Sequence, residues 1–163
     1  NRMLKRTTAR RMLMTLGVAV LDADEGTLTV ATAGHPPVLL ARAADGVVEE
    51  IGRGSFPLGA MATAEYVEQR VAIETGDLVV VYSDGLVETI NDGGEQFGWG
   101  RLRAVLERSL RTTTAAEVRD SILRELWDFK GDRAQLDDVT MVVARCLGDG
   151  LPSERPDRQA AAG

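Results

Sequence analysis

Apolar positions along the chain follow two rhythms. Up to about residue 82 and again from residue 139 they alternate or gather in short runs, and between residues 100 and 130 they recur every three or four residues. Alternation with period two marks half-buried strands, whereas a three-to-four spacing marks one face of a helix. Residues 12–21 predict a strand, "DADEGT" (22–27) a hairpin turn, and 27–33 the returning strand. That strand breaks at "AGHPP", because Pro36 and Pro37 have no N–H to give to a ladder. Residues 38–42 and 47–51 predict a second hairpin around Ala44-Asp45-Gly46. A loop follows at "GRGSFPLGA" (52–60), and Val67, Gln69, Val71 and Ile73 alternate across a half-buried strand at 66–74. Residues 139–147 predict a last strand, and the runs at 78–82 and 139–144 do not alternate, which predicts strands covered on both faces. Leu102, Val105, Leu106 and Leu110 form one helical stripe; Val118, Ile122, Leu126 and Phe129 form another. The second stripe opens on Thr114-Ala115-Ala116-Glu117, a capping box, and ends at Lys130-Gly131.

Strands first, then two helices, then a closing strand is an α+β order rather than βαβ alternation. A polar, basic segment at 1–11 reads as the end of a helix that begins upstream, and the aperiodic stretch 148–163 as a disordered tail. The 163 residues, 44% hydrophobic, suffice for one domain with a core. Net charge −6 leaves nothing to offset phosphate repulsion, so a nucleic-acid surface is not expected. No apolar run approaches the roughly 18–20 residues that span a bilayer. The lone Cys146 excludes an intrachain disulfide, reads as a buried structural thiol, and accords with a cytoplasmic location.

Two acidic breaks carry the candidate chemistry. Asp84 closes the run 78–82, and Asp137 with Asp138 opens the last strand. If those strands are antiparallel neighbours, both acids reach one rim of the sheet. Oxygen ligands at a rim suit Mg²⁺ or Mn²⁺, and a cation would relieve the repulsion between adjacent carboxylates. Taken singly, Asp84 also reads as a turn former before Gly85, and Asp137–Asp138 as a strand-entry cap. His35, the only histidine, sits at a strand end where it serves either as a structural residue or as part of the rim. A serine nucleophile at Ser83 is excluded by the absence of a G-x-S-x-G elbow. "GRGSFPLG" lacks the Lys-Ser/Thr of a phosphate-binding loop. Phe97 and Trp99 are expected to dock a loop on the core.

The segments "MTLGVAVLD", "ATAGHPPVLL", "SFPLG", "TGDLVVVYSDGLVET", "FGWGRL" and "LDDVTMVV" resemble, in order and spacing, the C-terminal part of PPM-type serine/threonine phosphatases. The likeness is to the SpoIIE/RsbU branch of the protein phosphatase 2C superfamily and covers residues 10–147. It implies a four-layer α/β/β/α sandwich of two antiparallel sheets flanked by helices, with the phosphatase domain at 1–147. It further implies a binuclear Mn²⁺ or Mg²⁺ centre whose water attacks a phosphoserine or phosphothreonine ester directly. By position, Asp84 and Asp137 match the family's metal ligands, Asp138 takes a supporting role, and His35 positions substrate or a metal-bound water. The implied substrate is a phosphorylated regulator of the anti-sigma antagonist type, with a sensor domain upstream and homodimerisation open.

One family feature is missing. The bridging carboxylate belongs to an N-terminal motif of the Asp-x-x-Gly-His-Gly kind, which this sequence lacks, through truncation with loss of the N-terminal strands or through natural degeneration. By itself the chain is therefore expected to bind metal weakly and hydrolyse little. The alternative expectation is a non-catalytic module that keeps the fold to bind a regulator or to dimerise.

Overall fold

The computed structural model of the protein describes residues 13–52, 54–111 and 114–148. The expected readings of 1–11 as a helix end and of the tail beyond Gly148 lie outside these residues. Within them the order is β1 (Leu16–Asp22), β2 (Thr27–Ala33), β3 (Val38–Ala41), β4 (Val48–Ile51), β5 (Gln69–Ala72), β6 (Leu78–Tyr82), α1 (Asp84–Glu88), α2 (Gly98–Ser109), α3 (Ala115–Lys130) and β7 (Met141–Arg145). The strands form two sheets, β1-β2-β5 and β4-β3-β6-β7, and every pairing is antiparallel.

The unbroken apolar run of β6 follows from this layering. Val79 turns inward with Val38, Leu40 and Ile51 to meet Leu28 and Val30 of the facing sheet. Leu78, Val80 and Tyr82 turn the other way, beneath Leu102 and Leu106 of α2 and Val118, Ile122 and Leu126 of α3. Each large side chain fully buried in this way contributes about 1.5–3 kcal/mol. The two antiparallel sheets and the flanking helices are as expected of the α+β sandwich. Among the described residues the helical layer present is the one on the four-stranded sheet.

Local sequence explains the element ends. Thr114 Oγ1 accepts the Glu117 N–H at 3.2 Å while Glu117 Oε2 accepts the Thr114 N–H at 3.0 Å, so the expected capping box starts α3. Phe97 and Trp99 belong to the start of α2 rather than to a separate loop. Phe97 stacks edge-on to Phe129 at 5.6 Å and Trp99 edge-on to Tyr82 at 5.8 Å. Buried Asp77 ties the β3–β4 hairpin to the start of β6, accepting from Ala43 N–H at 2.9 Å, Glu74 N–H at 3.0 Å and Arg42 at 3.1 Å.

Further expectations change. The strand expected at 66–74 shortens to β5, because beyond Val30 the partner strand β2 turns its polar groups elsewhere: Thr32 bonds Gly52 and Ser55. The strand expected at 139–147 shortens to β7 and is not covered on both faces. It is the edge strand of the wider sheet, facing a sheet of only three strands, and Val142 is 61% exposed. Cys146 is half-buried rather than buried, and desolvation, then the Asp77 charge, pushes its thiol pKa up. No helix of the described residues is long and apolar enough to cross a membrane.

Candidate functional site

β6 and β7 are hydrogen-bonded neighbours, with Tyr82 opposite Met141. Asp84 follows the end of β6 by two residues, and Asp137–Asp138 precede the start of β7, so antiparallel pairing brings the acids to one rim. The contact is tight. A Cβ built on Gly85 would lie 2.4 Å from the Asp138 carbonyl oxygen, so only glycine lets the two backbones approach this closely.

The rim is fixed by side chains that are not themselves acidic. Ser83 N–H donates to Thr140 O at 2.9 Å, while the Ser83 hydroxyl accepts the Thr140 N–H at 2.9 Å and donates to Asp138 O at 3.0 Å. Gln135 Nε2 donates to Asp137 O at 2.8 Å, and Arg133 reaches Asn91 O at 3.2 Å. Thr89 returns its hydroxyl proton to Gly85 O at 2.7 Å, closing α1 from the other end. Where a turn was expected after Ser83, the chain makes this single helical turn with Asp84 as its first residue.

Asp84, Asp137 and Asp138 are all exposed. Asp84 Oδ1 accepts the Gly85 N–H at 3.0 Å and Asp137 Oδ1 accepts the Asp138 N–H at 2.8 Å. Among the described residues none of the three is ion-paired to Lys or Arg. Carboxylate oxygens that are water-accessible and lack a cationic partner suit a hard divalent ion that keeps part of its water shell. Among the described residues no three His, Cys, Asp or Glu groups converge closely enough to hold a metal. In donor chemistry the acids fit such an ion, and in number they supply part of a coordination shell.

His35 reaches the same end of the sandwich by topology, in the four-residue crossing from the end of β2 to the start of β3. Its Nδ1 lies 2.8 Å from Pro36 O and its ring packs on β1, where a Cβ on Gly17 would come within 2.9 Å of it. Gly34, at φ 66°, has room for no side chain against Pro57, which fixes the entry to this loop. The contacts of His35 are thus to Gly17 and Pro36, whereas Asp84 and Asp137–Asp138 are joined through Ser83 and Gly85.

A cavity of about 650 Å³ runs beside the 52–68 loop past Thr32, Ser55, Phe56, Met61 and Glu68. It contains none of the candidate acids. A recess of about 140 Å³ is lined by one of them, Asp137, together with Gly85, Glu88, Thr89, Gln96 and Gln135. Oxygen donors rather than volume identify the chemistry, so the smaller recess marks the site. Ser83, Gly85 and Gln135 were not read as site residues from sequence. Gly85 stood in the Ser-Asp-Gly motif, but the partners of Ser83 lie 55 and 57 residues away.

Comparison with known proteins agrees with this architecture. Residues 1–147 match the family model described as Stage II sporulation protein E (SpoIIE). The chain is 28% identical to protein IcfG of Synechocystis over 81% of its own length and 20% of the relative. To phosphoserine phosphatase RsbU of Bacillus subtilis it is 26% identical, over 89% of its length and 42% of the relative. It therefore spans less than half of either curated relative. Among solved structures, the SiaA-PP2C domain of Pseudomonas aeruginosa superposes with a TM-score of 0.70 at 21% identity, covering 79% of this chain and 50% of that one.

Proposed function

The chain belongs to the SpoIIE family of PP2C-type phosphatase domains, and from that premise we propose that it is the C-terminal part of a metal-dependent protein serine/threonine phosphatase. Its domain is proposed to span residues 1–147. The observation that carries the reading is the pairing of β6 with β7, which sets Asp84 and Asp137 at adjoining strand ends on an exposed rim. Asp84 and Asp137 are the proposed Mn²⁺ or Mg²⁺ ligands. Asp138 supports them, and His35 at the same end of the sandwich orients substrate or water. When bound, such an ion supplies Lewis acidity and a water acidic enough to attack at neutral pH.

The chain's own residues hold the acids open to solvent, where a phosphorylated side chain of another protein has access. The proposed substrate is a phosphoserine or phosphothreonine on a small regulator of the anti-sigma antagonist type, in the cytoplasm. RsbU, named a phosphoserine phosphatase, supports that class.

The test is phosphate release from a phosphoserine protein by the full-length protein in Mn²⁺, comparing wild type with Asp84→Asn and Asp137→Asn. Each substitution is expected to lower turnover by at least about 100-fold, more than the 10–100-fold typical of residues behind a metal's direct ligands. Wild-type turnover in both variants overturns the assignment. A full-length protein inactive with every divalent metal instead favours the non-catalytic module, a reading in keeping with the incomplete acid cluster.

A further inference from the structure

The end of β6 contains an exchange of hydrogen bonds that the bare motif does not reveal. In an antiparallel ladder, residues facing each other in a hydrogen-bonded pair exchange both N–H···O bonds. Ser83 and Thr140 stand one step beyond the Tyr82–Met141 pair. Ser83 N–H donates to Thr140 O at 2.9 Å, as such a pair requires. The return bond is altered. Thr140 N–H goes to the Ser83 hydroxyl at 2.9 Å, while the Ser83 carbonyl accepts the Leu86 N–H at 3.1 Å in the first turn of α1.

The hydroxyl thus stands in for a backbone carbonyl at the last rung, and the carbonyl is released to start the helix that begins with Asp84. The same hydroxyl donates its own proton to Asp138 O at 3.0 Å, so one oxygen joins the junction of β6 and α1, next to Asp84, to the loop carrying Asp137 and Asp138. It donates one hydrogen bond and accepts one in this way, and it makes no cap bond to α1.

We propose that Ser83 is the positioning residue of this site, its hydroxyl setting the separation of Asp84 from the Asp137–Asp138 pair. The inference rests on the metal-site reading above and adds to it a residue that holds no ligand position. An alanine at 83 returns Thr140 N–H and Asp138 O to water and lets the 137–140 loop drift from the end of β6. A threonine keeps the oxygen in place. Residues that orient metal ligands without touching the metal typically contribute 10–100-fold in affinity.

The experiment is Mn²⁺ titration by calorimetry into the full-length protein, with metal-free circular dichroism and Tm recorded for every variant. Ser83→Ala is expected to weaken Mn²⁺ binding about 10-fold with an unchanged spectrum, and Ser83→Thr to bind within a factor of about three of wild type. Asp84→Asn is expected to abolish binding. Wild-type affinity in Ser83→Ala alongside lost binding in Asp84→Asn overturns the positioning role and leaves the metal reading standing. Wild-type affinity in both overturns the metal reading and the positioning role with it. Equal losses in Ser83→Ala and Ser83→Thr also overturn the role, because the oxygen alone is then not what matters.

Discussion

Tyr82 and Asp77 frame β6 with two opposite solutions to burying a polar group. Asp77 accepts three hydrogen bonds from Ala43, Glu74 and Arg42, so its carboxylate is solvated by the protein. Tyr82 is equally buried, but its hydroxyl has no hydrogen-bond partner among the described residues. Desolvation raises its phenol pKa well above the ordinary value of 10, and the nearby charge of Glu50 adds to the rise. A raised pKa means that the folded state holds its proton after the unfolded chain has lost it. The corresponding stability is whole below pH 10 and declines as pH climbs from there toward the folded-state value. Tyr82→Phe is expected to leave stability at pH 7 within about 1 kcal/mol of wild type, since no hydrogen bond is lost. It is also expected to flatten the fall in Tm above pH 10. Tm measured from pH 7 to 11 decides this, and parallel alkaline losses in both proteins refute it. At this scale sequence was informative where a residue's meaning is local. Asp84 and Asp137 could be read as acids bracketing apolar runs, whereas the work of Ser83 depends on partners brought near only by folding.

Among elements, the legible ones had a period to display. β2 and β6 lie where alternation and the apolar run placed them, and α3 starts at its capping box, because each spans enough residues for a pattern to repeat. α1 has five residues, little more than one turn, and one turn carries no repeat to detect. Its position is set instead by tertiary contact, the approach of Gly85 to the Asp138 carbonyl. Gly85→Ala tests that dependence. A methyl group 2.4 Å from a backbone oxygen cannot be relieved by rotating a side chain, so α1 and the 137–140 loop must separate. Overpacking of this kind costs about 1–3 kcal/mol. The variant is expected to lose that much stability in chemical denaturation and to show a smaller Mn²⁺-induced rise in Tm than wild type. Wild-type values for both measurements would falsify the close approach.

At the scale of the molecule, the layering was legible because hydrophobic faces must be buried, and the limits of the layers were not, because burial depends on what lies opposite. β6 lies between a sheet and a helical layer, and both of its faces are apolar and covered. β1 is apolar on both faces too, yet Leu16, Val18 and Val20 on the side turned away from the facing sheet are 47%, 45% and 55% exposed. On that side Val18 pairs with Ala31 and Val20 with Thr29, so no large neighbour shields them within the sheet. An apolar strip of this kind on a chain of net charge −6 should be visible in solution. This 163-residue chain is expected to bind a hydrophobic dye such as ANS while native. Val18→Thr combined with Val20→Thr is expected to cut that fluorescence by about half or more while shifting stability by only about 1 kcal/mol. Threonine keeps the β-branched shape that suits a strand, and surface exchanges usually have small effects. Equal dye binding by the double variant and wild type, at equal stability, places the exposed apolar surface elsewhere, with Val142 on the β7 edge the next position to change.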